Sequence, residues 1–341
     1  MHTSAPYIPD DGSEVANRAV QRKWLFRSLA VLTVFALVYA VATAWVGYGT
    51  LVTTFSAVPS GKIVTVIALV VGGVLIRACR WHYYTWFLDW EIPALPRFTA
   101  FVAGFAFTAT PGKAGELVKG LLLRGRYDVS LSQTAGILLV ERLGDLLAVI
   151  VLSCGGLFLF SDLRVYVLIG IALIGGVTAF AGHPTIGRTV FAHLFAISRL
   201  RAIGEKFICA LDAGRHLLSP LPMAIGGGMA LVAWGCEAWA FHLLIGCFGI
   251  HLHYLTSFSI YGLSTLAGAL SMLPGGLGGF EVVMGLLLTR LATPMSVATI
   301  VVIVFRVLTL WLFSLIGFVF MIGWMIHWSR DDLQQQKAGA Q

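Results

Sequence analysis

Long apolar runs separated by short polar segments fill most of this chain. The longest runs cover residues 28–47, 62–79, 132–160, 165–181, 223–248 and 296–328. A helix needs about 20 mainly apolar residues to cross the hydrocarbon core of a bilayer. The pattern therefore predicts an all-α integral membrane protein with about six transmembrane helices.

Two further apolar segments are interrupted. Residues 98–110 are too few to cross a bilayer, and a Pro/Gly break separates them from a short apolar return at 117–123. Residues 254–273 end at Pro274, and the chain returns through residues 281–291. Irregular backbone at membrane depth is tolerated only where protein or a wet cavity covers it. We expect two re-entrant helical hairpins.

The two interrupted segments share a sequence motif. Glu-Leu-Val-Lys-Gly-Leu-Leu-Leu at residues 116–123 recurs as Glu-Val-Val-Met-Gly-Leu-Leu-Leu at residues 281–288. A proline and glycines precede each copy, and an arginine within an apolar run follows it, Arg142 in the first copy and Arg306 in the second. Duplicated broken helices are typical of transporters. They predict repeat 1 at about 98–160 and repeat 2 at about 254–328.

Composition and charge placement agree with a membrane protein. The chain is 58% hydrophobic and 11% charged, whereas soluble domains carry about 25% charged residues. Of its 23 Lys and Arg, we place two inside the membrane, Arg142 and Arg306, three outside, Lys62, Arg164 and Arg290, and the rest in the cytoplasm. The net charge of +7 thus follows the positive-inside rule and does not indicate nucleic-acid binding.

This orientation places both termini in the cytoplasm. Residues 1–27 form a basic, disordered N-terminal segment, residues 28–328 a single transmembrane domain, and residues 329–341 a polar cytoplasmic tail. Three predicted spans lie between the hairpins, so the hairpins enter from opposite faces. The two repeats are therefore predicted to be inverted.

The Pro/Gly breaks are candidate binding segments. The free N–H groups at the start of a half-helix favour anions, although the same glycines could simply permit tight turns. The residues concerned are Pro111, Gly112, Lys113, Gly115, Pro274, Gly275, Gly276, Gly278 and Gly279.

Charged residues near the breaks are the other candidates. Glu116 and Glu281 either cap their half-helices or act as protonatable groups or ammonium ligands. Arg142 and Arg306 need a carboxylate or a ligand phosphate, since buried arginine does not lose its proton. The available carboxylates are Glu141 and Asp145 for Arg142, and Glu116, Glu237 or Glu281 for Arg306. A purely structural salt bridge is the alternative to phosphate binding.

No metal or cofactor site is predicted. The five cysteines lack metal-ligand spacing, and the chain has no P-loop, dinucleotide fingerprint or nucleophile elbow. Nothing in it is predicted to bind ATP.

The break at residues 111–116 with Lys119, the Glu141-Arg142 pair with Asp145, and the Pro-Gly-Gly-Leu-Gly-Gly-Phe-Glu motif at 274–281 together resemble a flippase-like membrane family. That family includes the transmembrane flippase domain of bacterial lysyl-phosphatidylglycerol synthases. The resemblance covers roughly residues 20–328, and no soluble synthase domain follows. It implies movement of a polar-headed lipid between leaflets of the bacterial inner membrane.

The sequence therefore favours a lipid flippase over an enzyme. Its expected substrate is a phosphate-bearing phospholipid or a lipid-linked glycan, and its expected partner is a lipid-modifying synthase or a glycosyltransferase. Two alternatives stay open. One is an intramembrane lipid-phosphate enzyme, although neither break has a Ser, Thr or His nucleophile after its proline. The other is a non-transporting membrane partner of a glycosyltransferase. The oligomeric state is not predicted.

Overall fold

The computed structural model describes residues 60–108, 110, 115–127, 129–154 and 201–339, together with the isolated positions 33, 165, 168, 169, 172 and 176. Within these ranges the α-helices are α1 (Ser60–Phe87), α2 (Ala94–Gly104), α3 (Val118–Tyr127), α4 (Leu131–Ser153), α5 (Arg201–Gly214), α6 (Pro220–Cys247), α7 (Tyr254–Leu270), α8 (Gly279–Arg290), α9 (Met295–Arg306) and α10 (Leu312–Gly339). The described part of the chain contains no strand, which agrees with the predicted all-α class.

Three of the helices in the described ranges are long and apolar enough to cross a membrane. They are Ser60–Phe87, Pro220–Cys247 and the combined helix Met295–Ile326. Each coincides with a span predicted from the sequence. The predicted span at 132–160 is helical as α4, which carries three charged residues, Glu141, Arg142 and Asp145.

Several predicted segments fall wholly or largely outside the described residues. These are the N-terminal segment 1–27, the spans at 28–47 and 165–181, and Pro111, Gly112 and Lys113 of the first break. The number of spans and the inverted arrangement therefore stay predictions. The tail predicted at 329–341 continues α10 as far as Gly339.

Helix α1 packs on α6 along a stripe of buried residues. Val66, Val70, Val74, Trp81 and Tyr84 are all less than 9% exposed, and their spacing of three, four or seven residues places them on one helical face. Helix α6 also contacts α4 and α7, and α5 packs on α4. These contacts make α1, α4 and α6 the wall against which the broken segments lie.

Each broken segment forms a helical hairpin. Helix α2 ends in the 3-10 turn Phe105–Phe107 and packs against α3, and α7 is followed by the turn Pro274–Gly276 and packs against α8. In the second turn Gly275 has φ +64° and Gly276 φ +67°, values that favour glycine. Gly279 lets the two arms approach, because a Cβ there would lie 2.6 Å from the Ala267 carbonyl oxygen. We call these pairs hairpin 1 (α2 and α3) and hairpin 2 (α7 and α8).

The last span is irregular. Helix α9 ends at Arg306, and a π-helical turn, Val307–Trp311, joins it to α10. Helix α10 packs on α2 and on the turn Phe105–Phe107. Gly317 permits this contact, because a Cβ there would lie 2.3 Å from the Ala106 nitrogen.

Candidate functional site

Both repeats contribute to one cavity of about 320 Å³. Its charged lining residues are Arg77, Arg80, Glu116, Lys119, Glu141, Arg142, Asp145, Glu237 and Arg306. The remaining wall is largely apolar and includes Phe101, Phe105, Leu266, Leu310 and Phe313. The cavity is thus amphipathic, and its charges come from four helices, α1, α4, α6 and α9, and from hairpin 1.

The sequence repeat is also a repeat of contacts. In the first copy, Arg142 Nη2 lies 3.5 Å from Glu116 Oε2. In the second copy, Arg306 Nε lies 2.7 Å from Glu281 Oε1. Each carboxylate after a break therefore pairs with the arginine of its own copy.

Arg306 is firmly bound in the second copy. Its Nε donates to Glu281, and its Nη2 donates to the Gly275 carbonyl oxygen at 2.7 Å. The guanidinium carbon also lies 4.6 Å from the centre of the Phe280 ring. Glu281 Oε2 accepts from the Gly278 N–H at 2.7 Å, so Glu281 caps α8 as well as binding the arginine. Arg306 thereby connects α9 to the turn of hairpin 2.

The first copy has more charged residues than the second, and its arginine makes longer contacts. Arg142 Nη2 also lies 3.2 Å from Asp145 Oδ2, so both of its described carboxylate contacts are long. Its side chain is 27% exposed, against 9% for Arg306. Lys119 Nζ lies 3.0 Å from Glu116 Oε2 and 3.3 Å from Glu141 Oε2. Arg142 is therefore the cavity arginine most accessible to a ligand.

Asp145 is the centre of a buried network. Its Oδ1 accepts from Arg80 Nη1 at 2.8 Å and from Trp234 Nε1 at 3.0 Å. The Arg80 side chain is only 2% exposed. Because a buried guanidinium needs a counterion, this pair ties α1 to α4. Sequence reasoning placed Arg80 in a cytoplasmic segment and missed this role.

Glu237 forms a second ion pair on the cavity wall. Arg77 Nη1 donates to Glu237 Oε1, and the Tyr261 hydroxyl donates to Glu237 Oε2 at 2.6 Å. The Arg77 guanidinium also lies 4.5 Å from the centre of the Trp234 ring. The candidate Glu237 thus lies in the cavity, but Arg77 and Tyr261 were not predicted as its partners.

The buried stripe of α1 is the signal that could have identified both missed arginines. The stripe runs through Val66, Val70 and Val74. Continuing from Val74 in steps of three or four residues reaches Arg77 first, and then Arg80 and Trp81. A charged residue on an otherwise apolar helical face indicates a partner on the neighbouring helix. The sequence analysis counts Arg77 among the cytoplasmic charges, whereas in the structure its side chain is 13% exposed and paired with Glu237.

The glycines and prolines of the breaks have different positions. Gly275 and Gly276, in the turn, line the cavity, whereas Pro274 begins the turn and Gly278 and Gly279 lie at the start of α8. Gly115 N–H donates to Thr110 Oγ1 at 2.8 Å, which closes the described end of the first break.

The chain is similar to known membrane proteins. The family model described as "Lysylphosphatidylglycerol synthase TM region" matches residues 27–317. A curated relative, "UPF0104 membrane protein" of Methanothermobacter thermautotrophicus, is 24% identical over 323 residues, which cover 88% of this chain and 92% of the relative. The family resemblance seen in the sequence motifs is therefore confirmed.

Proposed function

The chain belongs to the lysylphosphatidylglycerol synthase TM region family, and on that premise we propose that it is a flippase that moves a phosphate-bearing lipid between the leaflets of the bacterial inner membrane. The observation that carries the proposal is the amphipathic cavity, to which both repeats contribute an arginine. Its substrate is a phospholipid or a lipid-linked glycan. Its protein partner is a lipid-modifying synthase or a glycosyltransferase.

The size of the cavity favours binding of the headgroup alone. Sites for drug-sized ligands occupy about 300–1,000 Å³, and this cavity of about 320 Å³ lies at the lower end of that range. Apolar residues such as Phe105, Leu310 and Phe313 share the cavity with the charges. A phosphate bonded to Arg142 would keep a counterion while the headgroup crosses the membrane. This lowers the cost of several kcal/mol for a bare charge in lipid. The acyl tails would stay in the bilayer.

Transport is favoured over catalysis by the hydroxyl groups of the cavity wall. The described lining residues include four threonines but no Ser, Cys or His. Thr110, Thr265 and Thr309 each donate their hydroxyl hydrogen to a backbone carbonyl three or four residues earlier. An intramembrane lipid-phosphate enzyme needs an activated nucleophile beside a base, and none of these three hydroxyls is hydrogen-bonded to one. The hydroxyl of the fourth threonine, Thr108, has no partner among the described residues. The Tyr261 hydroxyl is bonded to Glu237, whose other oxygen is ion-paired with Arg77. We therefore propose a transporter that leaves the lipid intact.

Reconstitution in liposomes tests the proposal. Leaflet-selective chemical labelling of a headgroup panel should show faster exchange of a phosphate-bearing lipid with the protein than without it. Arg142→Lys keeps the charge but loses the bidentate fork, so transport should fall by roughly tenfold, which corresponds to about 1.4 kcal/mol. Arg124→Lys is the matched control, because Arg124 is exposed on α3 and does not line the cavity.

Two results would overturn the proposal. One is no acceleration for any phosphate-bearing lipid. The other is release of free phosphate or sugar from the lipid, which would establish an intramembrane enzyme instead.

A further inference from the structure

Arg142 shares both of its carboxylate partners with another cation. Its Nη2 lies 3.2 Å from Asp145 Oδ2, while Asp145 Oδ1 accepts from Arg80 Nη1 at 2.8 Å. The same Arg142 nitrogen lies 3.5 Å from Glu116 Oε2, and Lys119 Nζ lies 3.0 Å from that oxygen. Charge-assisted hydrogen bonds from nitrogen to a carboxylate oxygen are strong at about 2.7–2.9 Å. Each carboxylate is therefore held more closely by the other cation than by Arg142.

The two competing cations are buried, whereas Arg142 is not. The side chains of Arg80 and Lys119 are 2% and 4% exposed, against 27% for Arg142. The cation with the longest carboxylate contacts is thus the one with the largest free surface. A ligand anion that enters the cavity can reach Arg142 without displacing either neighbour.

Net charge does not explain why Arg142 is available. The cluster around it is balanced, with three cations and three carboxylates: Arg80, Lys119, Arg142, Glu116, Glu141 and Asp145. The pairing within the cluster is uneven instead, because Lys119 contacts both Glu116 and Glu141. Arg142 is therefore left weakly paired by the arrangement of the charges and not by their number.

Asp145 is held in place from two sides. Its Oδ1 accepts from Arg80 Nη1 of α1 and from Trp234 Nε1 of α6, the second at 3.0 Å. Because the strongest donors act on Oδ1, the carboxylate of α4 turns its charge toward α1. Only Oδ2 is left near Arg142.

The second repeat contains a closely paired arginine for comparison. Arg306 Nε lies 2.7 Å from Glu281 Oε1, and the Arg306 side chain is 9% exposed. Arg142 would approach this arrangement if Asp145 were released from Arg80. A phosphate would then have to break a short ion pair before it could bind.

We propose that Arg80 is a positioning residue of the phosphate site: by holding Asp145, it keeps the guanidinium group of Arg142 available to the lipid phosphate. This inference rests on the proposed flippase function and specifies how its phosphate site is kept open. Arg80 acts through Asp145 and not by touching the lipid, because its own side chain is buried.

The test measures binding of phosphatidylglycerol to the purified full chain in detergent, separately from its transport in phosphatidylcholine vesicles. Arg80→Gln releases Asp145, so Arg142 should pair with it and phosphatidylglycerol should bind roughly tenfold more weakly. Adding Asp145→Asn removes the released carboxylate, so the double variant should regain most of the lost affinity. A role of Arg80 in folding alone would not produce this recovery of affinity.

Arg77→Gln is the matched control for the loss of one positive charge. Arg77 lies one turn from Arg80 on α1, lines the same cavity and pairs with Glu237, whereas the described carboxylate contacts of Arg142 are with Glu116 and Asp145. Its loss leaves Asp145 in place, so it should weaken phosphatidylglycerol binding less than Arg80→Gln does. Should Arg80→Gln not fold, Arg80→Lys keeps the charge but loses the fork, and it must weaken binding more than Arg77→Lys.

The outcomes separate this inference from the proposed function. If Arg80→Gln binds phosphatidylglycerol as tightly as wild type, if Arg77→Gln weakens binding equally, or if Asp145→Asn restores nothing, the inference is wrong while the flippase function stands. Binding by wild type no tighter than by Arg142→Lys would also overturn it, because Arg142 would then hold no phosphate. If binding changes as expected but wild type moves no phosphate-bearing lipid, the flippase function fails and the positioning role stands.

Discussion

Arg142 and Arg306 hold equivalent places in the two repeats, yet their guanidinium groups have different surroundings. Arg306 bonds a carboxylate and a backbone carbonyl, both at 2.7 Å. Arg142 makes longer contacts of 3.2 and 3.5 Å and is three times as exposed, 27% against 9%. Arg306 therefore has the contacts of a structural salt bridge, and phosphate binding at Arg142 stays a prediction.

Arg306→Lys should reduce stability. A lysine has one nitrogen and cannot reproduce the fork that reaches both Glu281 and the Gly275 carbonyl, and a hydrogen bond to a charged group contributes about 1.5–3 kcal/mol. We expect a lower midpoint of thermal unfolding in detergent for Arg306→Lys than for Arg142→Lys. Equal midpoints would show that Arg306 does not hold hairpin 2.

At the residue scale, the sequence repeat marks Glu116, Arg142, Glu281 and Arg306, which the structure places on the cavity wall or bonded to a residue there. Their role in substrate binding stays a prediction. The buried stripe of α1 points to Arg77 and Arg80, but the sequence does not say which carboxylates they bind. Their burial depends on how α1 packs against α4 and α6, and a charge near the end of an apolar run is equally compatible with the membrane surface.

Among the elements, the two returning helices α3 and α8 show how far the repeats have diverged. Gly120 and Gly285 occupy the same position of the motif. Gly120 lies against Thr134 of α4, whereas a Cβ on Gly285 would meet nothing within 4 Å. The same glycine thus serves close packing in one copy only.

Gly120→Ala and Gly285→Ala should differ in stability. The first places a methyl group 2.1 Å from Thr134 Oγ1, and overpacking of this kind costs about 1–3 kcal/mol. The second has space and gains helix propensity of up to about 1 kcal/mol. Thermal unfolding of both variants beside wild type measures the difference. A Gly120→Ala protein as stable as Gly285→Ala would mean that α3 does not pack closely on α4.

For the whole molecule, the predicted topology can be checked by cysteine labelling. In a background lacking the five native cysteines, a cysteine replacing Arg124 should react from the cytoplasm and one replacing His251 from outside. Both positions are exposed in the structure. Labelling of both from the same side would rule out the inverted arrangement of the hairpins.

How much of the fold was predictable depended on the length of each pattern. Long apolar runs predicted α1, α6 and the last span, and the Pro/Gly breaks predicted where α3 and α8 begin to within a few residues. The helical start at Gly279, two residues before Glu281, depends on the capping bond from the Gly278 N–H. The π-helical turn after Arg306 has no sequence signature, since its residues Val307–Trp311 continue the apolar run without a break.

That turn has a mechanical consequence. Successive residues of an α-helix are rotated by about 100°, so positions 306 and 317 of an uninterrupted helix would face nearly the same direction. The wider π turn offsets them by most of a quarter-turn, which is how Arg306 reaches hairpin 2 while Gly317 rests on hairpin 1. The last span therefore contacts both hairpins through one continuous helical segment. We expect a displacement of this span to change its contacts with both hairpins together.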